Sequence, residues 1–257
     1  MTERPAFPAA FLNEAGLNRQ HVFEIADLPT DIRQTIAPSA EEKQLILLGH
    51  GGRRLWEKVS AAGLPGEHPI DDYTRLTVAR WFAEFMPTQR YRILYPDPGP
   101  TPIGLQALGA LAGWHHASPL MLGIDPLWGS WFAYRAVVVA DSGFLPFFPV
   151  DPGASRGFYG RSLQDIRPEE SNPCLSCHAA PCISHCPATA LSRQGMALGA
   201  CVDYRRQADS ACRETCLARL ACPVGASHRY DEAQLRHTYS RSLKMIEQYC
   251  STPPQDG

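Results

Sequence analysis

Eight of the nine cysteines lie between Cys174 and Cys222, in two runs that each close on proline. The first is Cys174-x2-Cys177-x4-Cys182-x3-Cys186-Pro187, the second Cys201-x10-Cys212-x3-Cys216-x5-Cys222-Pro223. Thiolates in fours are what an iron–sulfur cubane requires, and short gaps bring several sulfurs to one place. The proline after the last cysteine of each run stiffens the chain and removes a backbone N–H. Two other uses of thiols compete. Disulfides belong to oxidising compartments, and residues 1–20 show no secretory signal, being interrupted by Glu3, Arg4, Pro5, Pro8 and Glu14. Zinc takes Cys-x2-Cys pairs, and His178, His185 and His228 lie close in sequence, but zinc sites show two compact pairs across a longer loop rather than a three-cysteine run closed by Cys-Pro. The spacing points to two [4Fe–4S] clusters. Cys250 stands apart, near the end of a predicted helix, and reads as a spectator thiol.

In two-cluster ferredoxins the fourth cysteine of one run ligates the other cluster. On that rule one cluster takes Cys174, Cys177, Cys182 and Cys222, and the other takes Cys186, Cys201, Cys212 and Cys216. The gaps depart from the plain x2-x2-x3 pattern, so the second run carries loop insertions.

The elements that must position these residues are legible upstream. A helix is predicted around Pro8 to Ala15 and a short strand at His21 to Ile25. Gln44 to Gly49 is a continuous apolar run ending in glycine and reads as a buried strand. It leads through Gly49-His50-Gly51-Gly52, read as a tight turn with a phosphate cradle as the rival use, into a helix over Leu55 to Ala62. Asp71 to Phe85 carries Leu76, Ala79, Phe82 and Phe85 at helical spacing, with Pro87 as a stop. Tyr91 to Tyr95 is a strand, and Pro96 to Pro100 is a rigid loop. Ile103 to Trp114 is a helix whose alanines and glycines imply close packing, and Trp131 to Asp141 is a long strand buried on both sides at Val137 to Val139. Asp231 to Tyr249 closes the chain as an amphipathic helix. Strands alternating with helices over residues 40–145 indicate an α/β sandwich around one sheet.

At 257 residues the chain divides, on this reading, into an α/β domain over 1–165 and a cluster-bearing domain over 166–257. The net charge is −2, from 24 basic and 26 acidic residues, so no nucleic-acid partner is expected. No apolar run approaches the ~20 residues that span a bilayer, so no membrane is expected either. Free thiols and oxygen-sensitive clusters place the protein in a reducing cytoplasm. Arg205 and Arg206, beside the second run, read as a solvated face or as a docking point for an acidic electron donor.

The span Gly113-Trp114-His115-His116, then Gly129-Ser130-Trp131-Phe132-Ala133-Tyr134-Arg135-Ala136-Val137-Val138-Val139, followed by the two Cys-Pro closures, resembles the epoxyqueuosine reductase and reductive dehalogenase group. The segment from Asp71 to Val138 is also similar to the animal cobalamin-processing, decyanating protein. The resemblance implies a nitroreductase-like α/β (α+β sandwich) domain that binds cobalamin, or less readily FMN, joined to a C-terminal ferredoxin-like domain with two [4Fe–4S] clusters. It implies electrons from a soluble donor of ferredoxin or flavodoxin type, reducing a small-molecule cofactor or its substrate. It places Asp97 as proton donor and Trp114, His115, His116, Trp131 and Tyr134 around the cofactor. Read locally, Asp97 is a turn residue, His115 and His116 cap a helix C-terminus, and Trp131 is core. No twin-arginine leader precedes the domain, as an exported dehalogenase would require.

Overall fold

The computed structural model describes residues 4–145, except 98 and 100, and residues 172–251. The domain boundary expected at 165/166 lies outside these residues. The contacts divide the chain into two compact units, the first made of residues up to 113 together with those from 132, the second of Trp114–Trp131 together with the cysteine-bearing remainder. Trp114–Trp131 thus belongs with the cysteines, not with the residues around it in sequence.

In the first unit the order is α1 (Ala9–Glu14), β1 (Arg19–Glu24), α2 (Thr30–Ile36), β2 (Gln44–Gly51), α3 (Arg54–Ala62), α4 (Pro69–Phe85), β3 (Tyr91–Tyr95), α5 (Leu105–Leu111) and β4 (Phe132–Ala140). The four strands form one sheet in the order β1-β2-β4-β3. Every pairing is antiparallel, so the unit is an α+β sandwich and not a parallel α/β sheet. The central strands explain the apolar runs. Every residue of β2 is buried, and Ala136 to Ala140 of β4 are fully buried. Ile46, Leu48, Ala136, Val138 and Ala140 face a core with Leu12, Leu55, Val59, Val78, Trp81 and Phe82. Leu45, Leu47, Val137 and Val139 alternate with them and are equally buried, so both faces of the sheet are covered.

Two local expectations are corrected. β2 runs on through Gly51, and only Gly52, at φ 72°, and Arg53 remain as the turn into α3, so Gly49-His50-Gly51-Gly52 is no phosphate-cradling loop. On α4 the buried face is Thr74, Thr77, Val78, Trp81 and Phe82, while Leu76 is 47% exposed. The threonines go inside because their hydroxyls are satisfied locally: Thr74 Oγ1 donates to the Ile70 carbonyl at 2.7 Å and Thr77 Oγ1 to the Tyr73 carbonyl at 2.8 Å. Gly16, at φ 88°, lies where a Cβ would come within 2.6 Å of Leu55 Cα, which ties the β1 approach to α3.

The second unit holds α6 (Pro181–Ser184), the two-residue strands β5 (Leu191–Ser192) and β6 (Gly195–Met196), α7 (Leu198–Arg206), α8 (Leu217–Ala221) and α9 (Glu232–Ser251). Asp231 opens α9 as its cap, its carboxylate accepting the Gln234 N–H at 2.7 Å. The Trp114–Trp131 segment folds on itself through paired backbone bonds between His116 and Ile124 and between Asp125 and Gly129. Asp125 Oδ1 accepts the N–H groups of Leu127 and Trp128, each at 2.8 Å. Gly129, at φ 60°, is pressed against the Val224 carbonyl, and a Cβ there would clash.

Candidate metal centre

All nine cysteines are free thiols, and Cys250 alone among them is exposed. The other eight fall into two sets of four. Burial, together with Cys222, Cys182 and Cys177, raises the Cys174 thiol to about 11. Burial likewise raises Cys182, with Cys222 and Cys177 adding to it, and Cys222, with Cys177 adding to it. In the other set burial raises Cys201, where Cys216, Cys186 and Cys212 contribute, and Cys212, where Cys216 and Cys186 contribute. Thiols influence one another in this way only when close. The sets are Cys174, Cys177, Cys182 and Cys222, and Cys186, Cys201, Cys212 and Cys216.

Two short helices produce this interleaving. Cys182 lies in the first turn of α6 and Cys186 just beyond its end. Cys216 is the N-terminal cap of α8 and Cys222 its C-terminal cap. The two helices pack together. Along α6 the chain passes from the first set to the second, and along α8 it returns. A turn or so of helix, at ~1.5 Å per residue, is enough to place its two end cysteines in different sets.

Around them the loop geometry is made by backbone and short side chains. Asn172 Oδ1 accepts the Cys174 N–H at 2.9 Å, and Ser210 Oγ accepts the Cys212 N–H at 3.1 Å. Leu120, Leu191 and Ala218 form a small core against which Cys182, Cys186 and Cys216 pack. The first set lines a cavity of about 440 Å³, with Ala117, Pro119, Ile124 and Ile183 on its walls.

Among the described residues no three His, Cys, Asp or Glu side chains gather tightly enough for a single metal ion. Zinc draws its thiolates in to ~2.3 Å from one centre. A cubane places each thiolate on a different iron, so its ligands stand farther apart.

Two arginines complete the unit. Arg205 is 8% exposed and donates to the Cys212 carbonyl at 3.1 Å, the Tyr239 carbonyl at 3.0 Å and Ser242 Oγ at 3.2 Å. It is therefore not part of a solvated face; Arg206 is. Arg219 is 6% exposed and donates from Nε to Ser130 Oγ at 3.2 Å, from a terminal nitrogen to the Ser130 carbonyl, and to Tyr239 Oη at 3.5 Å. Its guanidinium lies 4.3 Å from the Trp131 ring centroid and 5.0 Å from that of Tyr230. A signal for both was present: Arg205 follows Cys201 by one helical turn, and Arg219 stands midway between Cys216 and Cys222.

The remaining expected site residues divide between the units. Asp97 and Tyr134 belong to the first, and Trp114, His115, His116 and Trp131 to the second. Asp97 is not desolvated. Its side chain is 44% exposed and accepts a bond from Arg75 Nε at 2.5 Å, and this contact raises the arginine's pKa. Arg75 also bonds Asp72 at 2.9 Å. Tyr134 is pushed up to about 12 by burial, and its ring lies against Gly109 of α5, where a Cβ would clash. Trp114 is buried and His115 and His116 are half-buried. The α5 C-terminus is closed by the N–H groups of Ala112 and Gly113. Trp131 is fully buried, with Arg219 over its face and Tyr230 edge-on at 5.4 Å, and packs as core.

The fold resembles that of epoxyqueuosine reductase. The structure of that enzyme with an epoxyqueuosine-modified tRNA-Tyr stem loop matches over 88% of this chain and 66% of its own, with a TM-score of 0.51 at 12% identity. The enzyme from Streptococcus thermophilus matches over 83% and 64%, with a TM-score of 0.41 at 12% identity. At such identity the likeness is one of fold, and this chain spans about two thirds of those proteins' length. No protein-family model and no curated protein matches the sequence. No helix among the described residues is long and apolar enough to cross a membrane.

Proposed function

We propose that this chain is an iron–sulfur redox enzyme that carries two [4Fe–4S] clusters and relays single electrons to a corrinoid, or the substrate of one, on the first unit. The observation that carries the reading is the division of eight cysteines into two interleaved sets of four. One cluster is held by Cys174, Cys177, Cys182 and Cys222, the other by Cys186, Cys201, Cys212 and Cys216. When bound, such clusters accept and release one electron each. The protein's part is to exclude water, through the burial that raises the thiols of both sets, and to fix the sulfurs by the α6 and α8 frame. The donor is a soluble one-electron carrier of ferredoxin or flavodoxin type. The slight negative charge favours a small-molecule substrate over tRNA.

Asp97 is the proposed proton donor. Arg75 occupies one of its carboxylate oxygens, so that contact must open before Asp97 can reach a substrate.

Cys222→Ala tests the ligation. EPR of the anaerobically reconstituted protein is expected to lose the signal of the cluster that Cys174→Ala also abolishes. Loss of the cluster that Cys216→Ala abolishes would mean that each run holds its own cluster, and the proposed ligation would be wrong.

A further inference from the structure

We propose that Arg205 raises the reduction potential of the cluster held by Cys186, Cys201, Cys212 and Cys216, acting as a fixed buried charge; the inference rests on the two-cluster reading above. Arg205 is buried, and each group it bonds (the Cys212 carbonyl, the Tyr239 carbonyl and Ser242 Oγ) is neutral. Its guanidinium also lies 5.3 Å from the centroid of the Tyr239 ring. Among the described residues it enters no ion pair. Burying a guanidinium without an anion is unfavourable. The structure offers one kind of anion beside it. Cys201 lies one turn before Arg205 on α7, and the arginine's charge acts on the sulfurs of both Cys201 and Cys212.

The sign follows from charge. Four thiolates around a cubane are negative in sum, and reduction adds one electron more. A nearby positive charge in a medium of low dielectric stabilises the reduced form more than the oxidised one, and net charge is among the factors that set these potentials. The effect is local. The first set has its own arginine: Arg229, half-buried, donates to the Cys222 carbonyl at 3.0 Å. Arg219 reaches Tyr239 Oη at 3.5 Å.

The test is an EPR-monitored redox titration of the full-length protein, reconstituted anaerobically with iron and sulfide and with both counted beforehand. Arg205→Gln is expected to lower the potential of one cluster, by a tenfold change in its one-electron reduction constant or about 59 mV, and to leave the other in place. Arg205→Lys keeps the charge and is expected to recover most of the difference. Ser242→Asp sets a carboxylate against the guanidinium without removing it, and is expected to lower the same cluster even where Arg205→Gln fails to retain iron. Unchanged potentials in both Arg205→Gln and Ser242→Asp overturn the inference. So does a fall in Arg205→Lys as large as in Arg205→Gln, because loop geometry and not charge would then be at work. A protein that takes up no iron overturns the two-cluster reading and this inference with it.

Discussion

Replacing Arg219 by methionine measures what the buried guanidinium contributes to the second unit. Two bonds to Ser130 are lost, and hydrogen bonds to charged groups are worth ~1.5–3 kcal/mol each. The third, to Tyr239 at 3.5 Å, is at the edge of bonding distance and adds little. The stacking on Trp131 and Tyr230 adds ~1–2 kcal/mol in a desolvated setting. Against this, methionine relieves the burial of a charge that has no carboxylate partner among the described residues, a cost of several kcal/mol. The balance is a destabilisation of about 3 kcal/mol by these central values. Urea unfolding of the apo protein, followed by tryptophan fluorescence, reads it. With a slope of ~2 kcal/mol/M the midpoint falls by about 1.5 M. Arg219→Lys, which keeps the charge but not the fork, falls roughly half as far. A midpoint lowered by less than ~0.5 M in Arg219→Met would refute the reasoning, since the Ser130 and aromatic contacts would then be worth no more than the relief of the charge.

Acid sensitivity follows from His21. Burial lowers its pKa from 6.5 to about 4, so the folded state keeps it neutral while the unfolded chain binds a proton below pH 6.5. Its contribution is fully present above pH 6.5 and is lost as pH falls from 6.5 to 4, by about 3 kcal/mol in all. His21→Leu should flatten that part of the stability-versus-pH curve, and an unchanged slope would contradict the assignment. Asp97→Asn should leave cobalamin binding by calorimetry unchanged and slow proton-coupled reduction at least ~100-fold, the lower end of what general acids contribute. A rate within threefold of the unsubstituted protein would remove Asp97 from the chemistry.

Where the sequence pattern speaks and where it fails has physical causes. β2 and β4 were legible because strands buried on both faces are apolar without interruption. α9 was legible from its cap and its period. α2 was missed because Ile36 is its one buried residue, and a single residue gives no period. On α4 Phe82 was read correctly, but Thr74 and Thr77 were missed because they read as polar until their bonds to Ile70 and Tyr73 are seen. The expected pairing of Cys222 with the first run rests on the crossed ligation of two-cluster ferredoxins. α6 and α8, which carry that pairing, are too short to show a pattern. Arg205 was read as solvated and Arg219 was passed over, because an arginine among cysteines looks solvated unless its partners are known. Here those partners are carbonyls, hydroxyls and aromatic faces.

The central claim is tested most directly by counting metal. Anaerobic reconstitution, followed by iron and acid-labile sulfide assays and an absorption spectrum, should give about eight iron and eight sulfide per chain, with the broad charge-transfer absorption of cubanes. Two zinc ions per chain with no iron would contradict it.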